Sequence, residues 1–234
     1  MVERIKTYIE GFDEKLEGGI PMGHVVLICG TPGTMKTSTA FNIIYHNAKS
    51  EGMKGLYIAL EEGHENLKGA MEDLGMGDIE DLDVYIVDVG KIRMEHKEEE
   101  YGKNWLEIIT KYITKRVKED GFDVIVLDSL AALYALASLR NPRVELFHFM
   151  RYMKELGATI FLISEVPHGS DAIVYHDEDY LADGILHLKL HEVGETDMQL
   201  RIRCLKMRRT RHYHGWMRLM MKDGTLVATP AISE

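Results

Sequence analysis

Short apolar runs alternate along the chain with stretches in which apolar residues recur every three or four positions. The runs are Val25–Cys29, Gly55–Leu60, Val84–Val87, Val124–Leu127 and Thr159–Ile163. They are rich in Val, Ile and Leu and do not alternate with polar residues. That is the pattern of strands buried on both faces of a parallel sheet. Helical spacing fills the intervals over Lys36–Ala48, His64–Leu74, Lys103–Lys118 and Val144–Leu156. In the third, for example, Trp105, Ile109, Tyr112, Ile113 and Val117 form one stripe. Strands alternating with helices predict βαβ units, and right-handed crossovers favour an open, doubly wound sheet. After about residue 184 the pattern changes. Gly184–Leu190 and Met198–Met207 read as longer strands joined around Gly194, and two more flank the turn signal Asp223-Gly224. The expected fold is therefore α/β, a mostly parallel central sheet flanked by helices, with a C-terminal antiparallel extension on one edge.

Length changes this picture little. The 234 residues carry no internal repeat and no Pro- or Ser-rich linker, so one domain over 1–234 is expected. With 28 basic and 38 acidic residues the net charge is −10, which argues against a broad basic face for duplex DNA. The two cysteines, Cys29 and Cys204, fit reduced structural thiols. The longest apolar candidate for a membrane span, Leu130–Leu139, falls well short of the roughly 18 residues required. The N-terminus lacks a signal-peptide apolar core, so a cytoplasmic protein without membrane contact is expected. The Glu95–Glu100 stretch reads as a solvated loop.

The strongest chemical signal is Gly30-Thr31-Pro32-Gly33-Thr34-Met35-Lys36-Thr37. It follows a buried strand and opens a helix, and it closely matches the P-loop pattern G-x-x-x-x-G-K-[ST]. Backbone N–H groups of such a loop point at phosphate oxygens. Lys36 is expected to reach the β- and γ-phosphates, Thr37 to bind Mg2+, and the cradle to run on to Ser38. Met35 stands where the pattern has its last glycine. A left-handed backbone there would cost a non-glycine residue about 1–2 kcal/mol.

Acidic residues at strand ends complete this reading. Val124-Ile125-Val126-Leu127-Asp128 has the form of a Walker B segment, whose carboxylate orients the water shell of the Mg2+. Glu61-Glu62 follows the second run, where strand ends line the ligand crevice of an open sheet. A carboxylate there orients or deprotonates an attacking water. Ser164-Glu165, ending the fifth run, is a candidate γ-phosphate sensor.

Taken in order, the phosphate loop, Leu60-Glu61-Glu62, Leu127-Asp128-Ser129 and Lys206-Met207-Arg208 resemble the KaiC-like ATPases of the RecA/RadA superfamily, in single-domain form. Gly11-Phe12-Asp13-Glu14-Lys15-Leu16-Glu17-Gly18-Gly19-Ile20-Pro21 resembles the stretch that precedes the first core strand of that family. The resemblance implies a RecA-like P-loop NTPase core, ATP and Mg2+ as ligands, and a ring, often a hexamer, with ATP between subunits. It implies that Glu61 and Glu62 take part in hydrolysis. It implies too that Lys206 and Arg208 reach the neighbouring subunit's nucleotide, with Met207, Thr210 and His212 in the same binding segment. Two cations two apart on a predicted strand share a face and suit an anionic ligand. The strand carrying them, lying after the α/β core, is expected at the sheet edge. The chain departs from the family at Met35, at Arg209 where a glycine is usual, and in having one ATPase domain.

Other function classes stay open. One is a nucleotide-binding regulatory scaffold with negligible hydrolysis; another is a recombinase-like paralogue that binds DNA. Arg208-Arg209-Thr210-Arg211-His212-Tyr213-His214 interleaves basic and aromatic residues as nucleic-acid binding requires. Against that, the loop from Val166 to Asp183 holds Asp171, Asp177, Glu178, Asp179 and Asp183 with no Lys or Arg, and would repel a phosphate backbone. No Cys/His spacing suggests zinc. Nothing in the sequence specifies a regulatory protein partner.

Overall fold

The computed structural model describes residues 2–91, 104–137, 139–166 and 173–231. The N-terminal segment supplies three two-residue strands, β1 (Arg4–Ile5), β2 (Ile9–Glu10) and β3 (Ile20–Pro21). The five apolar runs become β4 (Val25–Gly30), β5 (Gly55–Ala59), β6 (Val84–Asp88), β7 (Val124–Asp128) and β8 (Thr159–Glu165). Four of them run past the apolar stretch into Gly30, Asp88, Asp128 and Ser164-Glu165, because the backbone ladder continues beyond the hydrophobic core. The extension is β9 (Gly184–Val193), β10 (Asp197–Met207), β11 (Met217–Lys222) and β12 (Thr225–Pro230).

Six helices are described: α1 (Lys36–Glu51), α2 (His64–Glu72), α3 (Trp105–Asp120), α4 (Leu130–Leu136), α5 (Pro142–Glu155) and the single turn α6 (Glu178–Leu181). Caps explain their limits. Asn141 accepts from the Val144 N–H and Pro142 takes the first turn, so α5 begins earlier than apolar periodicity alone indicates. Asn104 caps α3 in the same way. The expected start of that helix at Lys103 and the Glu95–Glu100 stretch lie outside the described residues, as does Asp171. The first seven residues of the Leu130–Leu139 run form α4, and no described helix is long and apolar enough to cross a membrane.

The main sheet has the order β2-β12-β11-β10-β9-β4-β8-β7-β5-β6. From β9 to β6 every pairing is parallel; β9 to β12 pair antiparallel, and β2 adds parallel to β12. One face packs against α1, α2 and the N-terminal residues Ile5, Ile9, Phe12 and Leu16; the other packs against α3, α4 and α5. The placement of Lys206 needs correction. Its strand, β10, lies between β9 and β11 rather than at the edge, because the β11–β12 hairpin and β2 continue the sheet beyond it. A bulge interrupts β10 between Cys204 and Lys206, and Arg208 falls one residue past the strand.

Candidate functional site

The phosphate loop leaves β4 at the carboxyl end of the parallel sheet. Gly30 is required there by close approach: a Cβ would meet the Leu188 carbonyl oxygen at 2.7 Å. Thr34 Oγ1 donates to the Thr31 carbonyl at 2.7 Å, and Lys36 Nζ donates to the same oxygen at 3.0 Å. Met35 caps α1 with φ 60° and ψ 32°, the left-handed conformation. Its carbonyl accepts the Thr39 N–H at 2.9 Å, so the first helical turn is closed despite the strain. Burial pushes the Lys36 ammonium down from its ordinary value, against the charges of Glu165 and Asp128.

Asp128 ends β7, two strands from β4. Its Oδ2 accepts from Thr37 Oγ1 at 2.9 Å and from Tyr57 OH at 2.7 Å. Burial raises the Asp128 carboxyl, although both hydrogen bonds and Lys36 favour its charged form. Burial and Asp128 together push the Tyr57 hydroxyl well up, so it stays a donor. Sequence reasoning missed Tyr57. Its one signal is a hydroxyl inside an otherwise apolar run, and its partner depends on β5 lying beside β7.

The remaining strand-end acids gather here. Glu61 and Glu62 follow β5 in exposed positions, where Leu60 N–H donates to the Asp128 carbonyl at 2.8 Å. Burial raises the Glu62 carboxyl, and Asp128 adds to the rise. Glu165 pairs in register with Gly30, and its neighbour Ser164 is buried with Oγ unpartnered. Phosphate loop, Asp128, paired glutamates and Ser164-Glu165 thus share one end of the sheet. The oxygens of Thr37 and Asp128 are hard donors that fit Mg2+, which takes its other ligands from phosphates and water.

Met207, Arg208, Thr210 and His212 lie toward the other end, while Lys206, level with Leu27 through Ile185, stands midway along β4. Arg208 N–H donates to the Asp183 carbonyl at 2.8 Å, and Asp183 N–H to Val25 at the start of β4, also at 2.8 Å. Gly30 is five strand residues further on, roughly 16 Å at the usual rise. Arg208 Nη1 pairs with Asp183 Oδ1 at 2.8 Å, and Lys206 Nζ donates to the Asp179 carbonyl at 2.7 Å. Met207 is buried against Gly184. Thr210 Oγ1 accepts from Arg4 Nη1 at 2.9 Å, and Arg4 also holds the Gly19 carbonyl at 2.8 Å. The stretch 11–21 is thereby tied to this strip. His212 meets His214 edge to face with centroids 4.3 Å apart; burial, then His214, lowers its ring below the ordinary value. Among the described residues, no hydrogen bond or ion pair joins Lys206 or Arg208 to Gly30–Thr37.

The chain is 31% identical over 221 residues to a UPF0273 protein of Thermotoga maritima, covering 91% of this chain and 90% of the relative. It is 29% identical over 222 residues to the circadian clock oscillator protein KaiC of Rippkaea orientalis, covering 92% of this chain but 42% of that longer protein. The crystal structure of a KaiC-like protein from the archaeon Pyrococcus horikoshii superposes with a TM-score of 0.83 at 28% identity, covering 98% of this chain and 100% of the other. The family described as "ATPase: KaiC" matches residues 5–231, and the chain belongs to it.

Proposed function

We propose that the protein binds ATP with Mg2+ on Gly30–Ser38, hydrolyses it slowly, and assembles into a homo-oligomeric ring, a hexamer, with nucleotide between subunits. The observation that carries this reading is the separation of two half-sites within one chain. Phosphate loop, Thr37, Asp128 and the paired glutamates stand at one end of the sheet, while Arg208 stands roughly 16 Å away at the other, and Lys206, level with Leu27 through Ile185, lies between them. An arginine side chain does not span that gap, so a second subunit's nucleotide is the one within reach of Arg208.

Lys36, partly buried and held at its carbonyl partner by one hydrogen bond, exchanges that bond for phosphate oxygens. Thr37 and Asp128 would hold the Mg2+, the latter directly or through water, and the ion would neutralise charge on the phosphates. One of the paired glutamates, Glu61 or Glu62, accepts the proton as water oxygen attacks the γ-phosphorus and the bond to ADP breaks, while the other helps to orient the water. Arg208 from the neighbour stabilises the charge that develops. Strain at Met35 limits the rate.

Equilibrium binding and phosphate release on the same variants test the assignment. Lys36→Ala should lose ATP affinity by at least about tenfold, and the Glu61→Gln/Glu62→Gln double variant should bind ATP normally without turnover. Equal affinity in wild type and Lys36→Ala removes the phosphate loop from the reading. Binding by wild type with no phosphate release assigns the scaffold role instead.

A further inference from the structure

Beyond Ile185 and Leu205, which join the core on the α3–α5 side, the antiparallel extension is covered on one face only among the described residues. Leu186, Leu188, Ile202, Met217 and Leu219 share a buried cluster with the N-terminal segment. Side-chain alternation turns the intervening residues to the opposite face. There the register sets Lys189 opposite Arg201, and Arg201 opposite Arg218. Three cations therefore cross three adjacent strands in one row, about 10 Å from end to end. In the next row His187 faces Arg203. Beside them, Lys189 Nζ lies 4.3 Å and the Arg203 guanidinium 4.4 Å from the centroid of the Trp216 ring.

Among the described residues, no ion pair joins Lys189, Arg201, Arg203 or Arg218 to a carboxylate. Like charges directly opposite one another are destabilising. Burial, then Arg203 and Arg201, lowers the Lys189 ammonium; burial, then Arg203 and Lys189, holds His187 down to about 4. Arg203 Nε is buried without a hydrogen-bond partner. In a chain with 38 acidic residues and a net charge of −10, an unneutralised row of this kind is the exception.

We propose that Lys189, Arg201, Arg203 and Arg218 form a binding site for a compact oligophosphate anion. The site lies on the sheet face opposite the one that Leu188 turns toward Gly30, and it stands independently of the ATP reading. Three of the four cations are arginines, whose planar forks each match two phosphate oxygens. Linked phosphates concentrate several charges within the row. An extended acidic peptide presents same-face carboxylates only every two residues, about 6.8 Å, so two at most would fit. Nucleic acid is disfavoured because Lys189 and Arg203 already occupy the Trp216 ring, which leaves no free platform for a base.

The test uses the full chain carrying Lys36→Ala, titrated with Mg2+-free inorganic tripolyphosphate by calorimetry. One binding event per chain is expected, weakening steeply with added salt. Adding Arg201→Gln and Arg203→Gln should lower affinity at least about tenfold. A gentler variant guards against misfolding: Arg218→Glu, at an exposed position, sets an acid opposite Arg201. It should raise the melting temperature without ligand and lose most of the rise that tripolyphosphate gives its parent. Absence of binding to the Lys36→Ala chain, or unchanged affinity after both glutamine substitutions, overturns the proposal. So does tighter binding of a single-stranded oligonucleotide or a polyglutamate peptide of equal charge.

Discussion

Met35 and Arg209 both hold left-handed backbone, with φ of 60° and 58°. Each stands where the family resemblance leads one to expect glycine, and each carries about 1–2 kcal/mol of steric cost. For Met35→Gly the relief of that cost is offset twice. Glycine widens the unfolded ensemble by about 0.4–1 kcal/mol, and the Met35 side chain, packed on the core beneath α1, is lost. Net stability should therefore change by less than about 1 kcal/mol, while phosphate release rises several-fold as the loop relaxes around nucleotide. Denaturant melts and turnover on the same preparation separate the two effects; unchanged turnover would acquit the strain. Met35 was legible in the sequence because the motif fixes its position. Tyr57 was not, since its bond to Asp128 exists only once β5 and β7 are neighbours.

Among the elements, what could be read was whatever depends on local pattern. All five strands appear where unbroken Val/Ile/Leu runs lie, and every residue of β4 and β5 is buried, but β6, expected to be buried on both faces, ends the sheet and is only half-buried, with Tyr85 exposed. Sheet order was beyond local pattern. β10 resembles an edge strand because polar residues intersperse it, yet that polarity reflects one uncovered face rather than an unpaired side. Asp183, read only as one of a run of acids, proves to join three elements. It accepts from Val25 N–H at 3.1 Å, Lys154 Nζ at 2.8 Å and Arg208 Nη1 at 2.8 Å. Burial pushes its carboxyl up, but these donors outweigh burial and hold it below the ordinary 3.8. A depressed carboxylate contributes stability above its unfolded pKa and loses it as pH falls through the folded value. Asp183→Asn should therefore cost about 1.5–3 kcal/mol at neutral pH, and the gap to wild type should close below about pH 4. A gap that stays constant into acid would mean that the carboxylate charge is not what binds these elements.

At the scale of the whole molecule, the chain is polar along its strands. The phosphate-loop segment occupies the carboxyl ends and Arg208 the opposite end, anchored to Asp183, with Lys206 between them on the Asp179 carbonyl. If ATP bridges subunits, it belongs to the interface, and its binding free energy favours the assembled state by mass action. Sedimentation of wild type should then show a ring tightened by MgATP. Arg208→Ala, which leaves the phosphate loop intact, should lower turnover and ring stability more than nucleotide affinity. Removing an arginine that acts in trans costs about 10³-fold or more in the favourable cases. The decisive comparison is a mixture of two inactive proteins. Each Arg208→Ala subunit retains its phosphate loop, and each Lys36→Ala subunit retains its arginine. In a random ring about a quarter of interfaces set an intact loop against an intact Arg208, so turnover should recover to a comparable fraction of wild type. Rescue has to vanish when the two lesions sit on one chain mixed with itself, because no interface is then complete. Mixed rings that form but stay inactive would place Arg208 outside the catalysis of its neighbour, however far it stands from its own loop.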